Sequence, residues 1–66
     1  MKEMRRENLI KARKEKGLTQ QQVADVLGIS LRYYQNIEKG DRDGSFPIWD
    51  YLEDLFQIHQ RRLREL

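Results

Sequence analysis

The chain has 66 residues, of which 38% are hydrophobic and 36% are charged, and it contains no cysteine. This length allows one small domain, so we expect residues 1–66 to form a single folding unit. The lack of cysteine excludes a disulfide, and a lone histidine excludes a Cys/His zinc site. So little buried material disfavours a catalytic pocket. We therefore expect no enzyme activity, no catalytic residue, no metal and no cofactor.

Apolar residues are scattered along the chain, and the longest fully apolar run is two residues. This excludes a transmembrane helix and a signal-peptide core, so a cytoplasmic protein with no membrane partner is the simplest expectation. The net charge is +2, but it is unevenly distributed: residues 1–16 carry seven basic and three acidic side chains, whereas residues 50–54 carry three acidic side chains. This pattern fits either a protein with one positive face or ordinary solvated helix faces.

The first predicted helix spans about residues 2–16. Leu9 and Arg13 lie on its inner face at helical spacing, with Met4 or Arg5 one turn earlier. Lys14 and Lys16 lie in the last turn and Gly17 follows, as is typical of a helix C-terminus. The segment therefore begins the chain with a helix whose inner face is not wholly apolar.

The centre of the chain contains two short helices separated by Gly28. Thr19 and Gln22 form a Thr-x-x-Gln capping box at the start of the first of them, and Ser30 caps the second. The predicted bounds are residues 20–27 and residues 31–39. Two short helices joined by a tight glycine turn are a helix-turn-helix, here over about residues 19–39.

The packing of this pair leaves one surface free. Ala24 is small where the two helices cross, and Tyr34 and Ile37 face inward on the second of them. The N-terminal end and the outer face of that helix are then polar and open. This is the shape required of an element that enters the ~12 Å wide major groove of DNA.

The last third of the chain predicts a fourth helix, capped by Ser45, with Pro47 in its first turn. Its apolar stripe, bordered by Trp49, consists of Ile48, Leu52, Leu55 and Phe56. The tail keeps a helical period, either as a fifth short helix from about His59 or as a continuation of the fourth helix. A turn at residues 57–59 is the favoured arrangement.

The central pattern resembles the lambda-repressor/Cro-like helix-turn-helix family, also called the Xre family, over about residues 8–56. The matching residues are Arg13, Gly17-Leu18-Thr19-Gln20, Val23-Ala24, Leu27-Gly28-Ile29-Ser30 and Ile37-Glu38-Lys39-Gly40. The resemblance implies an all-α, compact five-helix (alternatively four-helix) lambda-repressor-like domain. It also implies sequence-specific binding of double-stranded DNA, usually as a homodimer on a palindromic operator. Two features depart from the family: an acidic loop after Gly40, and no glycine after the fourth helix.

The resemblance also implies which residues meet DNA. The residues at the matching base-contact positions are Leu31, Arg32 and Asn36. Arg32 can present two donors to guanine, and such a pair discriminates between bases by about 1–3 kcal/mol. The residues at backbone or secondary positions are Thr19, Gln20, Tyr33, Gln35, Lys39 and Arg42. Contacts of this second kind fix the register on the duplex without reading its sequence.

Several assignments keep a structural alternative. Leu31 fits either a thymine methyl contact or a half-buried rim position, and Thr19 fits either a phosphate contact or its own helix cap. Arg13 and Glu38 stand at positions that, in the resembled family, form a largely buried ion pair between the first helix and the end of the third. We expect that structural role for both residues.

The tail, residues 57–66, has more apolar surface than a small core needs, and Ile58, Leu63 and Leu66 are candidate dimer contacts. The leading hypothesis is a transcription regulator, specifically a homodimeric repressor of phage or mobile-element type, associated with the nucleoid when bound to DNA. The alternative is an antitoxin-type or protein-interaction module that binds a regulatory protein partner through its C-terminal helix. A steep fall of duplex affinity with salt would favour the first hypothesis.

Overall fold

A computed structural model of the chain describes residues 5–66, which contain five α-helices and no strand. The helices are α1 (Glu7–Glu15), α2 (Gln20–Leu27), α3 (Leu31–Lys39), α4 (Phe46–Phe56) and α5 (Gln60–Leu63). The predicted all-α, five-helix fold is confirmed, and it is consistent with a compact lambda-repressor-like domain. No helix in the described range is long and apolar enough to cross a membrane.

Helix α1 starts later than predicted. Arg5 and Arg6 precede it, and Arg6 is its non-helical N-cap residue. The backbone N–H of Arg6 donates to the carbonyl of Glu38 at 2.9 Å, a bond to the end of α3 that draws the chain out of the helical path. Arg5 is exposed, so its predicted place on the inner face is wrong, and Arg6 is buried instead. Met4, the other residue predicted for that face, lies outside the described residues.

The helix-turn-helix follows its predicted bounds. The Thr19 side chain accepts from the Gln22 backbone N–H at 3.1 Å, and the Gln22 side chain accepts from the Thr19 N–H at 2.8 Å, which confirms the capping box. Gly28 ends α2 at φ 72°, a left-handed conformation that costs glycine nothing. The Ser30 hydroxyl then accepts from the Tyr33 N–H at 3.1 Å and starts α3.

The C-terminal part contains a separate fifth helix, as favoured from the sequence. The break falls at Gln57, which takes the left-handed conformation itself (φ 57°) where the resembled family usually has glycine. Its side chain donates to the Asp54 carbonyl at 2.7 Å and so satisfies one carbonyl at the helix end. Ser45 occupies the N-cap position of α4, but its side chain makes no capping hydrogen bond, so the predicted cap is wrong in that respect.

The core lies between the five helices. Its buried apolar residues are Leu9, Ala12, Val23, Ala24, Tyr34, Ile37, Ile48, Trp49, Leu52, Phe56 and Leu63. Trp49 is 1% exposed, so it is a central core residue and not the border residue that the sequence predicted. Leu63 is fully buried in its own chain as well. The tail therefore completes the core through α5, which packs against α1 and α4.

Candidate nucleic-acid interface

Helix α3 turns one face to the core and leaves the other open. Tyr34 and Ile37 are buried below it, whereas Arg32 and Lys39 are exposed. The remaining predicted contact residues of this helix are half-buried: Leu31, Tyr33, Gln35 and Asn36. Tyr33 packs against the core. The helix thus presents a polar outer surface with one exposed arginine near its N-terminal end.

A buried ion pair anchors α3 to α1. Arg13 Nε lies 2.7 Å from Glu38 Oε2, and the two side chains are 10% and 3% exposed. Arg13 also donates to the Leu18 carbonyl at 3.0 Å. Burial alone lowers the pKa of Arg13, but the hydrogen bond and charge of Glu38 outweigh that effect and raise the pKa. The structure therefore brings together the two residues that the resemblance paired.

The Glu38 carboxylate has two further donors. The Tyr34 hydroxyl donates to Oε2 at 2.6 Å, and the Gln20 amide donates to Oε1 at 2.8 Å. Gln20 Oε1 in turn accepts from the Gln35 amide at 3.1 Å. Burial, followed by the hydrogen bond and charge of Glu38, raises the pKa of Tyr34, so this hydroxyl keeps its proton. A continuous network therefore runs from the buried carboxylate to the surface of the helix-turn-helix.

This network changes the interpretation of Gln20. The resemblance places Gln20 among the contacts to the DNA backbone, but its side-chain amide donates to Glu38 and its side-chain carbonyl accepts from Gln35. One side-chain N–H is left for any contact outside the protein. The Thr19 hydroxyl accepts from the Gln22 N–H, in agreement with its capping alternative.

An open cleft of about 340 Å³ lies beside this network. Its lining residues are Arg5, Ile10, Gln20, Gln35, Glu38 and Lys39. Arg5 and Lys39 are both exposed and basic, so the surface next to the helix-turn-helix carries positive charge. Nothing in the sequence separates Arg5 from the other bases of the first sixteen residues, and it was predicted for the inner face of the first helix and not for this surface.

The loop after α3 holds Arg42 by its backbone. The Arg42 N–H donates to the Asn36 carbonyl at 3.2 Å, and its carbonyl accepts from Arg6 Nη1 at 2.9 Å. The Arg42 side chain is exposed. One acidic side chain of this loop forms an ion pair: Asp43 Oδ1 lies 3.6 Å from Arg6 Nη2.

The three candidate dimer contacts differ in their exposure to solvent. Leu63 is fully buried within the chain, so its assignment as a dimer contact is wrong. Ile58 is half-buried against the core, and Leu66 is 58% exposed. Leu66 is the member of the three that keeps a large free surface.

Two acidic side chains of α4 make hydrogen bonds to α5. Asp50 and Glu53 both accept from the Gln60 amide, at 2.8 and 2.9 Å, and so tie α4 to α5. Throughout residues 5–66, no cluster of His, Asp and Glu side chains is arranged to hold a metal ion.

Comparison with known families identifies the chain. A helix-turn-helix family model matches residues 9–58, which include α2, α3 and the Arg13–Glu38 pair. The chain belongs to the Xre/lambda-repressor-like helix-turn-helix family. As a member of this family it is a DNA-binding helix-turn-helix regulator. Comparison with curated proteins and with solved structures gives no match.

Proposed function

We propose that this helix-turn-helix protein is a homodimeric repressor that binds a palindromic operator and blocks transcription by occupying it. The observation that carries the proposal is the orientation of α3, whose inner face is held by Tyr34, Ile37 and Glu38 while Arg32 is exposed. A helix held in this way presents its first turn and outer face to the major groove. Such a protein acts in the cytoplasm, on the nucleoid.

Base readout is assigned to three side chains of α3. Arg32 donates two parallel hydrogen bonds to the O6 and N7 atoms of guanine, and Asn36 pairs with N6 and N7 of adenine. Leu31 contacts a thymine methyl group, which gives its half-exposed apolar surface a function. Leu31 and Arg32 lie in the capped first turn of the helix, whose N-terminal residues contact base edges, and Asn36 follows Arg32 one turn later.

Backbone contacts are assigned to residues around α3. Lys39 lies at the end of the helix and Arg42 lies just beyond it. Both are exposed cations, and each neutralises a phosphate. Gln20 and Gln35 contribute the side-chain N–H groups that their shared network leaves free. Thr19 completes the set through its hydroxyl hydrogen, because its backbone N–H already donates to Gln22. Tyr33 contributes its phenol hydroxyl.

Dimerisation is assigned to the C-terminal end. Leu66 is 58% exposed and Ile58 is half-buried, so the two residues offer apolar surface that a second copy can cover. Binding to a palindromic operator requires that the two copies of α3 in such a dimer lie about 34 Å apart, one turn of the duplex. The alternative, capture of a partner protein by the C-terminal helix, is less favoured because α5 has only four residues and buries Leu63.

The proposal is tested by selecting bound duplexes from a random pool with the full chain. A palindromic motif with half-sites one helical turn apart is the expected result. The affinity for the enriched duplex is then measured over a range of salt concentrations, where the logarithmic slope is about −0.9 for each phosphate neutralised. No enriched motif, or an affinity independent of salt, would reject sequence-specific DNA binding and favour a protein-interaction module.

A further inference from the structure

Arg6, which is not part of the Arg13–Glu38 ion pair, is as little exposed to solvent as the residues of the core. Arg6 is 3% exposed, close to the value of Glu38 at 2%. It stands before α1 and outside the range of the family match, which begins at residue 9. Burial lowers the pKa of its guanidinium, while Asp43 opposes that shift. A charge placed in such a position needs a structural or functional reason, because its desolvation is costly.

The guanidinium of Arg6 joins three distant segments through their backbone. Nη1 donates to the Ile37 carbonyl at 2.6 Å and to the Arg42 carbonyl at 2.9 Å. Nε donates to the Arg64 carbonyl at 3.1 Å. One side chain therefore binds the end of α3, the following loop and the C-terminal segment at the same time. Only arginine has enough donors in a fixed planar fork for this arrangement.

Trp49, a buried core residue, contacts both Arg6 and the loop after α3. The Arg6 guanidinium lies 5.3 Å from the centroid of the Trp49 ring, within the range of a cation–π contact. The indole Nε1 donates to the Asp43 carbonyl at 2.6 Å. Two successive loop carbonyls, of Arg42 and Asp43, are thus held by two buried donors.

These contacts fix the backbone from which the exposed side chain of Arg42 extends. Its backbone is fixed on both sides, by the Asn36 carbonyl and by Arg6, so the point from which its guanidinium extends is fixed relative to α3. A preorganised donor loses less conformational entropy when it binds a phosphate than one on a free loop.

We infer that Arg6 is a positioning residue for DNA binding, which fixes the loop after α3 so that Arg42 reaches the DNA backbone in register with the base contacts of α3. Arg6 does not touch DNA itself. This inference rests on the proposed function and adds a residue that neither the helix-turn-helix pattern nor the family match contains.

The test is a double-mutant cycle between Arg6 and Arg42. The variants are Arg6→Lys, Arg6→Gln, Arg42→Ala and the double variants, with Arg61→Lys as a matched control on an exposed arginine of α5. The probe is the duplex enriched by the unmodified protein, and circular dichroism first establishes that each variant folds. Affinity is then measured over a range of salt concentrations.

We expect Arg42→Ala to weaken binding and to reduce the magnitude of the salt slope by about 0.9, the contribution of one phosphate. Arg6→Lys, although it keeps its charge, produces the same reduction, and the double variant is no weaker than Arg42→Ala alone. Arg61→Lys leaves both quantities unchanged.

Three results would overturn the inference. The first is a folded Arg6 variant with unchanged affinity and slope, and the second is a double variant whose loss equals the sum of the single losses. The third is failure of both Arg6 variants to fold, which would make Arg6 a residue of the fold alone. An unmodified protein that enriches no duplex rejects the proposed function instead, so the two failures are distinguishable.

Discussion

The Nε atom of Arg13 donates a 2.7 Å hydrogen bond to Oε2 of Glu38 in a region from which water is almost excluded. The same carboxylate accepts from Tyr34 and Gln20, so α1, α2 and α3 meet at one charged group. Every buried side-chain nitrogen and oxygen among residues 5–66 has a hydrogen-bond partner. The orientation of α3 therefore depends on a polar contact as well as on apolar packing.

Glu38→Gln is expected to destabilise the protein strongly, because it leaves the Arg13 charge buried without a counter-charge. The expected loss of unfolding free energy is about 3–5 kcal/mol, measured by urea denaturation. A loss of this size is comparable to the whole stability, about 3–5 kcal/mol, that the core of a domain of 66 residues supplies.

The matched control is Glu7→Gln. Glu7 lies 4.0 Å from Arg5, and both side chains are exposed, so this pair contributes at most about 1 kcal/mol. Equal losses for the two variants would show that the buried pair has no special role in stability.

Arg32→Ala is expected to change sequence preference and not merely affinity. Because Arg32 is assigned to a guanine edge, its loss removes about 1–3 kcal/mol of discrimination at one base-pair position in each half-site. Competition between the enriched duplex and duplexes substituted at single positions measures this effect.

Lys11→Ala removes the same charge from an exposed position of α1, beside Ile58 and Arg62. It is expected to leave the pattern of preference unchanged. If Arg32→Ala weakens binding to every duplex by the same factor, Arg32 contacts the backbone and not a base.

Thr19→Ala is expected to cost about 1 kcal/mol of unfolding free energy, because the Gln22 N–H loses its acceptor at the start of α2. Ser45→Ala is the control at the equivalent position of α4, where the side chain makes no capping hydrogen bond. Its effect on thermal denaturation should be close to zero. A larger loss for Ser45→Ala than for Thr19→Ala would contradict the cap geometry.

Tyr34→Phe is expected to flatten the loss of stability in alkali. The pKa of Tyr34 is raised in the folded protein, whereas an unfolded tyrosine loses its proton near pH 10. Above that pH the unfolded state binds fewer protons than the folded state, so the unfolding free energy of the unmodified protein falls as pH rises.

The phenylalanine variant lacks this proton and should show a smaller fall between about pH 10 and 11, measured by urea denaturation. It is also less stable at neutral pH, since it loses the hydrogen bond to Glu38. Tyr51→Phe, at an exposed position, should keep the steep alkaline dependence of the unmodified protein. The same steepness in both variants would contradict the assignment to Tyr34.

Leu66→Asp is expected to reduce self-association without changing the fold, because it places a charge in the exposed apolar surface assigned to the dimer. Sedimentation over a range of protein concentrations measures this effect. Leu63→Ala should instead lower the unfolding free energy by about 2–5 kcal/mol through a cavity in the core. An unchanged sedimentation mass for Leu66→Asp would remove the C-terminal end from the dimer interface.

The local elements of this fold could be predicted from the sequence. The Thr19–Gln22 capping box, the Ser30 cap and the left-handed Gly28 each depend on atoms within three or four residues of one another. Short-range hydrogen bonds and backbone conformations of this kind are determined by residue type and spacing. The bounds of α2 and α3, and hence the helix-turn-helix, follow from them.

The roles of Arg6 and Gln20 were decided by the tertiary structure alone. The carbonyls that Arg6 binds lie 31, 36 and 58 residues away, and nothing in the sequence distinguishes it from the exposed Arg5 beside it. Gln20 looks free in the sequence because its partners belong to another helix. Leu63 likewise has the pattern of a surface stripe until α5 folds back onto α1 and α4. Burial and long-range hydrogen bonds depend on which segments meet in space, and residue spacing along the chain does not contain that information.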